Sequence, residues 1–506
     1  MYARVYGATV YGVDGHLIEV EIDLSNGLPT FDLVGLPDSA IRESRERVRS
    51  AIRNSRFEFP LLRITTNLAP ADMKKEGSSL DLPVAVGILL ASGQLKTPLD
   101  LRKILFVGEL SLEGGLRPVQ GLLAMLMAAE AAGYELVVIP EANRNEGDLL
   151  EITTLPATSL EEVVSYLKHP SPIPRSRMKD EEKIEEETLP DFKEVKGQYQ
   201  AKRAFEVAAA GFHNLMMVGP PGSGKTMLAR RLPSILPPLT REEALEVTKI
   251  YSIAGLNERG TLMRNRPFRS PHHTISVHGL VGGGAVPRPG EVSLAHRGVL
   301  FLDEMPEFTR HTLEVMRQPL EDGQVTIGRA RGALTFPARF MLIASMNPCP
   351  CGFYGFEDGE RSCTCSSTQV HRYRGRLSGP LMDRIDIHLE VPRVHYEVFE
   401  KKEEGESSRE IRARVMRALE IQRERYRGMK ILFNAQMGAR EIERYARLDR
   451  EGERLLRNAF EEMGLSARAH ARILKVARTI ADLEESDMIH PHHVAEAIQY
   501  RALDRE

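Results

Sequence analysis

The stretch "GPPGSGKT", residues 219–226, places glycines, a lysine and a threonine at the spacing that wraps a phosphate. Gly219, Gly222 and Gly224 free the backbone N–H groups to turn toward an anion, and Pro220, Pro221 and Ser223 complete the turn. A helix that follows such a turn points its positive end at the same anion. Lys225 would reach the β- and γ-phosphates of ATP, and the Thr226 hydroxyl would bind Mg²⁺. The apolar run "LMMV" before the turn and the helical pattern after it supply the strand–turn–helix setting this chemistry needs.

A second apolar run, "GVLFLDE", ends in two carboxylates. Asp303 would enter the Mg²⁺ shell and Glu304 would orient the attacking water. "FMLIASMN" ends in Asn347, a polar residue at a strand tip that would contact the water and the γ-phosphate. "DRID" offers Arg384 just before another strand. An arginine there suits a finger donated to a neighbouring subunit; the alternative is a surface ion pair with Asp383 or Asp386. Ser466 is placed to cap a helix. Arg468 in its first turns would report on the γ-phosphate, with Arg472 one turn on as the alternative.

All four cysteines lie in "NPCPCGFYGFEDGERSCTCS", as the pairs Cys349/Cys351 and Cys363/Cys365. Four thiolates can hold Zn²⁺ tetrahedrally. A structural thiol cluster without metal is the alternative, and disulfides do not suit a cytoplasmic chain.

These residues need elements to hold them. Residues 1–168 alternate strand-like runs ("HLIEVEIDLS", "ILFVGELS", "ELVVIP") with helix-like ones ("GLLAMLMAAEAAG"), an α+β domain. Residues 169–191 are proline-rich and acidic, a linker composition. Residues 192–397 alternate strands and helices and predict a parallel sheet. Residues 398–506 are helical and charged, a lid-like bundle. The chain is 42% hydrophobic and 27% charged with a net charge of −3, which excludes a globally basic nucleic-acid binder but not a local basic surface. No apolar run is long enough to span a membrane and no signal peptide opens the chain, so a cytoplasmic protein is expected.

Two segments could face DNA. Residues 252–297 carry six arginines and four histidines against two acids. Arg264, Arg266 and Arg269 flank Phe268, a pattern suited to phosphate tracking and base stacking; pairing with a neighbour's acids or with nucleotide is the alternative. His272, His273 and His278 lack a carboxylate or thiol at ligand spacing and are expected to be loop histidines. "QVTIGRARGALTF" predicts a hairpin with Arg329 and Arg331 at its tip.

"GPPGSGKT", "PGEVSLAHRGVLFLDE", "NPCPCG", "SGPLMDRIDIH" and "VGLPDSAIRESRERVRSAI" together resemble the ComM/YifB family of magnesium-chelatase-subunit-like AAA+ ATPases, over most of the chain. The resemblance implies an α/β AAA+ P-loop module with a parallel sheet and a helical C-terminal lid. It implies Asn347 as sensor 1, Arg384 as arginine finger and Arg468 as sensor 2, in a hexameric ring. It further implies an ATP-driven DNA helicase that promotes branch migration in recombination of incoming DNA during natural transformation, with both basic insertions facing a central pore. "MKKEGSSLDLPVAVGILLASG" resembles the α+β proteolytic domain of Lon-type proteases (ribosomal S5 domain 2-like). Ser79 matches the nucleophile, but Leu123 falls where the catalytic lysine belongs, so the fold is expected without the protease chemistry. Two rivals stand beside the DNA motor: a chelatase-type ATPase that remodels a partner protein, and a scaffold that only binds ATP. Glu304 weighs against the scaffold, because binding alone needs no water-orienting base.

Overall fold

The structure is a computed structural model, and it describes residues 1–36, 39–73, 75, 77–173, 189–284, 287–329, 332–356, 362–394 and 405–501. The chain forms two compact units. One is Met1–Glu182 with Arg241–Met263, and the other is Lys183–Thr240 with Arg264–Glu506.

The membership of residues 241–263 departs from the sequence-based boundaries, which put them inside the ATPase core. The helix Arg241–Ala254 buries Ala244, Val247, Ile250 and Tyr251 and packs on the helix Leu122–Ala131. Gly121 donates its N–H to the Ser252 carbonyl at 3.2 Å. Its φ is +73°, and an added Cβ would come within 2.7 Å of Val10 and 3.2 Å of Ile253. Amphipathic spacing says that a helix has a buried face; it does not say which domain covers that face.

The first unit is built on a seven-stranded mixed sheet. Its order is Thr30–Val34, Arg63–Ala69, Asp14–Ser25, Tyr2–Tyr11, Ile104–Phe106, Leu136–Pro140, Thr153–Ala157. The alternation in "HLIEVEIDLS" becomes the strand Asp14–Ser25, with Ile18, Val20, Ile22 and Leu24 buried. Ser79 is only 5% exposed and donates its hydroxyl to the Ala8 carbonyl at 2.8 Å, and Leu123 is fully buried. Neither side chain faces solvent.

The second unit carries a five-stranded sheet in the order Phe268–Arg269, Val299–Leu302, Met341–Met346, Leu215–Val218, Ile387–Glu390. Every pairing in it is parallel. The three inner strands are buried along their whole length, as expected for a parallel sheet covered on both faces. The C-terminal helices do not form a separate core. Ile473, Ala477 and Ile480 of the helix Ala467–Leu483 share one cluster with Leu215, Met217, Ile343 and Ile387 of the sheet and Ala204, Val207 and Ala208 of the helix Tyr199–Gly211. Among the described residues, no helix is long and apolar enough to cross a membrane.

Candidate functional site

The strand Leu215–Val218 runs between Met341–Met346 and Ile387–Glu390 in the sheet, and the phosphate-binding turn leaves its carboxyl end. Gly222 and Gly224 adopt φ of +78° and +91°, a left-handed backbone that turns successive N–H groups inward. At Gly219 a Cβ would lie 2.2 Å from the Val391 carbonyl oxygen, so only glycine fits. The helix Lys225–Ile235 starts directly from the turn. The Ser223 hydroxyl is buried and has no partner among the described residues. A left-handed turn, a helix start and an orphaned hydroxyl together fit a phosphate.

Lys225 lies in this turn. Its Nζ donates to the carbonyls of Gly219 at 2.7 Å and Pro220 at 3.0 Å, and to Asn347 Oδ1 at 3.3 Å. Burial pulls its ammonium below the ordinary lysine range, and Asp303 and Glu304 oppose that pull. Thr226 donates its hydroxyl to Asp303 Oδ2 at 2.8 Å. Thr226, Asp303, Glu304 and Asn347 thus come from three neighbouring strand ends, and the adjacency follows from the strand order. The hydroxyl and carboxylate are hard oxygen donors, the set that Mg²⁺ takes.

Two members of this constellation were not legible beforehand. Ser345, inside the buried strand Met341–Met346, donates its hydroxyl to Asp303 Oδ1 and accepts from the Glu304 N–H at 3.2 Å. Glu304 holds a left-handed φ of +52°, a strained setting for a residue with a side chain. Ser345 therefore ties the Asp303 carboxylate to the Glu304 backbone. The signal was a serine in an otherwise apolar strand. Gln198, also left-handed at φ +53°, donates to the carbonyls of Pro392 at 2.7 Å and Ser223 at 3.4 Å and so ties the turn to the sheet. Its signal was the "KGQ" turn before a helix.

The arginines sit elsewhere. Arg384 and Asp386 precede the strand Ile387–Glu390, at the amino ends of the parallel strands, while the P-loop sits at their carboxyl ends. Four strand residues separate these ends by roughly 10 Å or more. Arg384 donates to the Pro380 carbonyl at 2.6 Å and pairs with Glu321. Its acidic partner is therefore neither Asp383 nor Asp386. Asp383 pairs with Arg468 at 3.1 Å, and Asp386 pairs with Arg472. Although burial pushes the Asp386 carboxyl up, Arg472 and His213 hold it well below the usual carboxylate range. Ser466 caps the helix Ala467–Leu483 by accepting the Ala469 N–H. Arg468 and Arg472 thus lie with Arg384, at the end of the sheet away from Lys225.

The DNA candidates divide. Arg266 is buried, with its guanidinium on the carbonyls of Pro237 and Arg297, each at 2.6 Å. Phe268 and Arg269 form the edge strand of the sheet. Phe268 stacks on Phe301 at 6.0 Å, and Arg269 grips Glu291 through two bonds of 2.6 and 2.7 Å. This corrects the reading of these three as a flexible DNA-facing cluster: Arg266 is buried, and Phe268 and Arg269 are half-buried in the edge strand and engaged with Phe301 and Glu291. Arg264 is exposed. The hairpin forms as expected from Gln324–Arg329 and Gly332–Pro337; Arg331 lies outside the described residues, and Arg329 ends the first strand.

The four cysteine Sγ atoms lie within 4.8 Å of one another. Cys349 is 3.3 Å from Cys351 and 3.7 Å from Cys363, and Cys351 is 3.6 Å from Cys363. Tetrahedral Zn–S bonds of about 2.3 Å require sulfurs about 3.8 Å apart, so the thiols fit zinc. Glu484, His492 and His493 form another close group. There, His493 Nδ1 accepts the His490 N–H at 2.9 Å, which leaves the proton on Nε2, donating to Glu484 at 3.0 Å. A ring with both nitrogens so engaged is a capping residue, not a ligand.

Comparison with known proteins matches most of the chain. A family profile described as "Magnesium chelatase, subunit ChlI" matches residues 191–399. Profiles for "Subunit ChlI of Mg-chelatase" and "Magnesium chelatase, subunit ChlI C-terminal" match residues 20–143 and 405–501. The chain is 46% identical to the uncharacterized protein YifB of Salmonella typhimurium, over 99% of this chain and 97% of that one. It is 45% identical to the competence protein ComM of Haemophilus influenzae, over 99% and 98%. The magnesium-chelatase subunit ChlI of Euglena gracilis is 24% identical over 45% of this chain and 66% of that one.

Proposed function

The chain belongs to the ComM/YifB family of magnesium-chelatase-like AAA+ proteins, and on that premise we propose that it is an ATP-driven DNA motor that works as a hexameric ring. The observation that carries this reading is the separation of Lys225 from Arg384. The P-loop, Asp303, Glu304 and Asn347 lie at one end of the parallel strands, and Arg384, Arg468 and Arg472 lie at the other. An arginine so placed serves a γ-phosphate held by the next subunit.

In this reading the left-handed turn and Lys225 bind the phosphates of ATP. Thr226 and Asp303 hold Mg²⁺, which neutralises charge on the phosphates. Glu304, aimed by Ser345, accepts a proton from the attacking water, and Asn347 orients that water. Arg384 of one subunit completes the neighbour's site, with Arg468 or Arg472 beside it. The hairpin Gln324–Pro337 is the favoured DNA contact, because Phe268 and Arg269 are engaged with Phe301 and Glu291 in the edge strand. The cysteines hold zinc. The N-terminal unit, a Lon-protease-like fold without the protease chemistry, organises the ring or contacts a partner.

The named role of the Haemophilus relative in competence supports a cytoplasmic helicase for branch migration during natural transformation. ATP hydrolysis measured with and without forked or three-stranded DNA, together with strand displacement, tests the proposal. Stimulation by DNA and displacement are expected; a turnover indifferent to DNA overturns the motor. The match to magnesium-chelatase subunits favours one rival, protein remodelling, which expects stimulation by a partner protein instead.

A further inference from the structure

The cysteine loop reaches back onto the P-loop. It starts at Asn347, whose side-chain oxygen accepts from Lys225 at 3.3 Å. Gly352 has a φ of +89°, and a Cβ there would come within 2.6 Å of Pro221 Cδ. Phe353 lies beneath the Arg393 guanidinium, 5.3 Å from the ring centre, and Arg393 donates to the Pro221 carbonyl at 3.4 Å. On the other side, Tyr354 lies beneath Arg374 at 5.3 Å, Arg374 donates to the Pro348 carbonyl at 3.2 Å, and the Tyr354 N–H donates to Cys349 Sγ at 3.4 Å.

The loop has little apolar burial to hold these contacts. Tyr354 is 43% exposed, and of the four cysteines only Cys349 is buried. The convergence of four sulfurs supplies what burial does not: a cross-link between residues 349–351 and 363–365. Pro221, which meets this loop, lies in the phosphate turn next to Pro220, whose carbonyl is one of the groups that holds Lys225.

We infer that the four-cysteine knuckle positions the ATP site: zinc on Cys349, Cys351, Cys363 and Cys365 fixes Gly352 and Phe353 against Pro221 and Arg393, and so sets the shape of the phosphate-binding turn. The inference rests on the ATPase reading above. Gly352, Phe353 and Arg393 are positioning residues and touch no reacting atom. They act on ATP affinity through the backbone of the turn, so their loss raises KM and leaves kcat largely intact.

The test uses the full chain purified without added zinc. Zinc content is measured by elemental analysis, ATP affinity with a fluorescent analogue, and KM and kcat from steady-state hydrolysis. The wild type is expected to carry one zinc per chain. Phe353→Ala and Arg393→Ala should keep the zinc and raise Kd and KM for ATP about three- to tenfold, the worth of one lost hydrogen bond or packing contact. Phe353→Tyr should restore both. Cys351→Ser should lose zinc and show the same rise in KM. Stripping zinc from the wild type should do likewise, reversibly on re-addition.

A wild type free of zinc overturns the inference. So does zinc loss at unchanged ATP affinity, or a Phe353→Ala variant that loses kcat at constant KM. If Cys351→Ser does not fold, Phe353→Ala and Arg393→Ala still decide, since their thiols are intact. A wild type that binds no ATP is a separate failure: it overturns the proposed function and appears in the first control.

Discussion

Thr226 and Asp303 lie 77 positions apart in sequence, and the threonine hydroxyl donates to the carboxylate at 2.8 Å. The pair brings a helix start and a strand end to one point. Ser345 holds the other oxygen of the same carboxylate and, through its hydroxyl, the Glu304 N–H. One serine therefore anchors both the Asp303 carboxylate and the backbone from which Glu304 projects.

Glu304→Gln keeps the size of the side chain and removes its basicity. ATP binding should persist while hydrolysis falls about 10²- to 10⁴-fold, the usual worth of a positioned base. Nucleotide binding and single-turnover hydrolysis measured side by side check this. Normal turnover would remove Glu304 from the base role.

Ser345→Ala frees Asp303 and the strained Glu304 backbone together. The expected loss in kcat is about ten- to a hundredfold, from removal of about one or two hydrogen bonds to a charged group. Ser345→Thr should recover part of it, because the hydroxyl is kept. A Mg²⁺ titration of each variant checks the metal side, since a displaced Asp303 raises the Mg²⁺ concentration needed.

Arg384→Ala should lower hydrolysis by about a thousandfold or more, as for other arginine fingers, without weakening ATP binding to its own subunit. Lys225→Ala should abolish that binding. Mixed rings of the two variants test action between subunits: sites that pair an intact P-loop with an intact finger recover activity. No recovery on mixing, with mixed rings shown to form, refutes the trans assignment.

Asp386 is held below its ordinary pKa by Arg472 and His213, against the upward push of burial, with Lys475 also facing it. A depressed carboxylate contributes stability above its unfolded pKa of about 4, and that contribution is lost as pH falls toward the folded value. Arg472→Gln strands a buried charge, so it should cost about 3–5 kcal/mol at neutral pH. It should also move acid unfolding to higher pH. Denaturant unfolding at several pH values checks both; an unchanged acid midpoint argues against the pairing as the source of acid resistance.

The phosphate turn, the "DE" pair and the terminal Asn347 were legible because their geometry is local. Each rests on a few consecutive residues whose backbone preferences and strand tips need no knowledge of distant partners. The thiol cluster was legible from spacing too, since Cys349/Cys351 and Cys363/Cys365 sit on one loop. Tertiary structure alone decided other matters. It gave Arg384 to Glu321, 63 positions away, placed Phe268 and Arg269 in the sheet edge, and gathered residues 241–263 into the N-terminal unit. Hydrophobic period and charge state that a side chain must be covered or paired; which element covers it is set by three-dimensional distance, and one sequence pattern is compatible with several partners. Arg266 and Arg269 show the difference most plainly: as sequence they are basic charge near an aromatic, and in the fold Arg266 bonds the carbonyls of Pro237 and Arg297 while Arg269 pairs with Glu291.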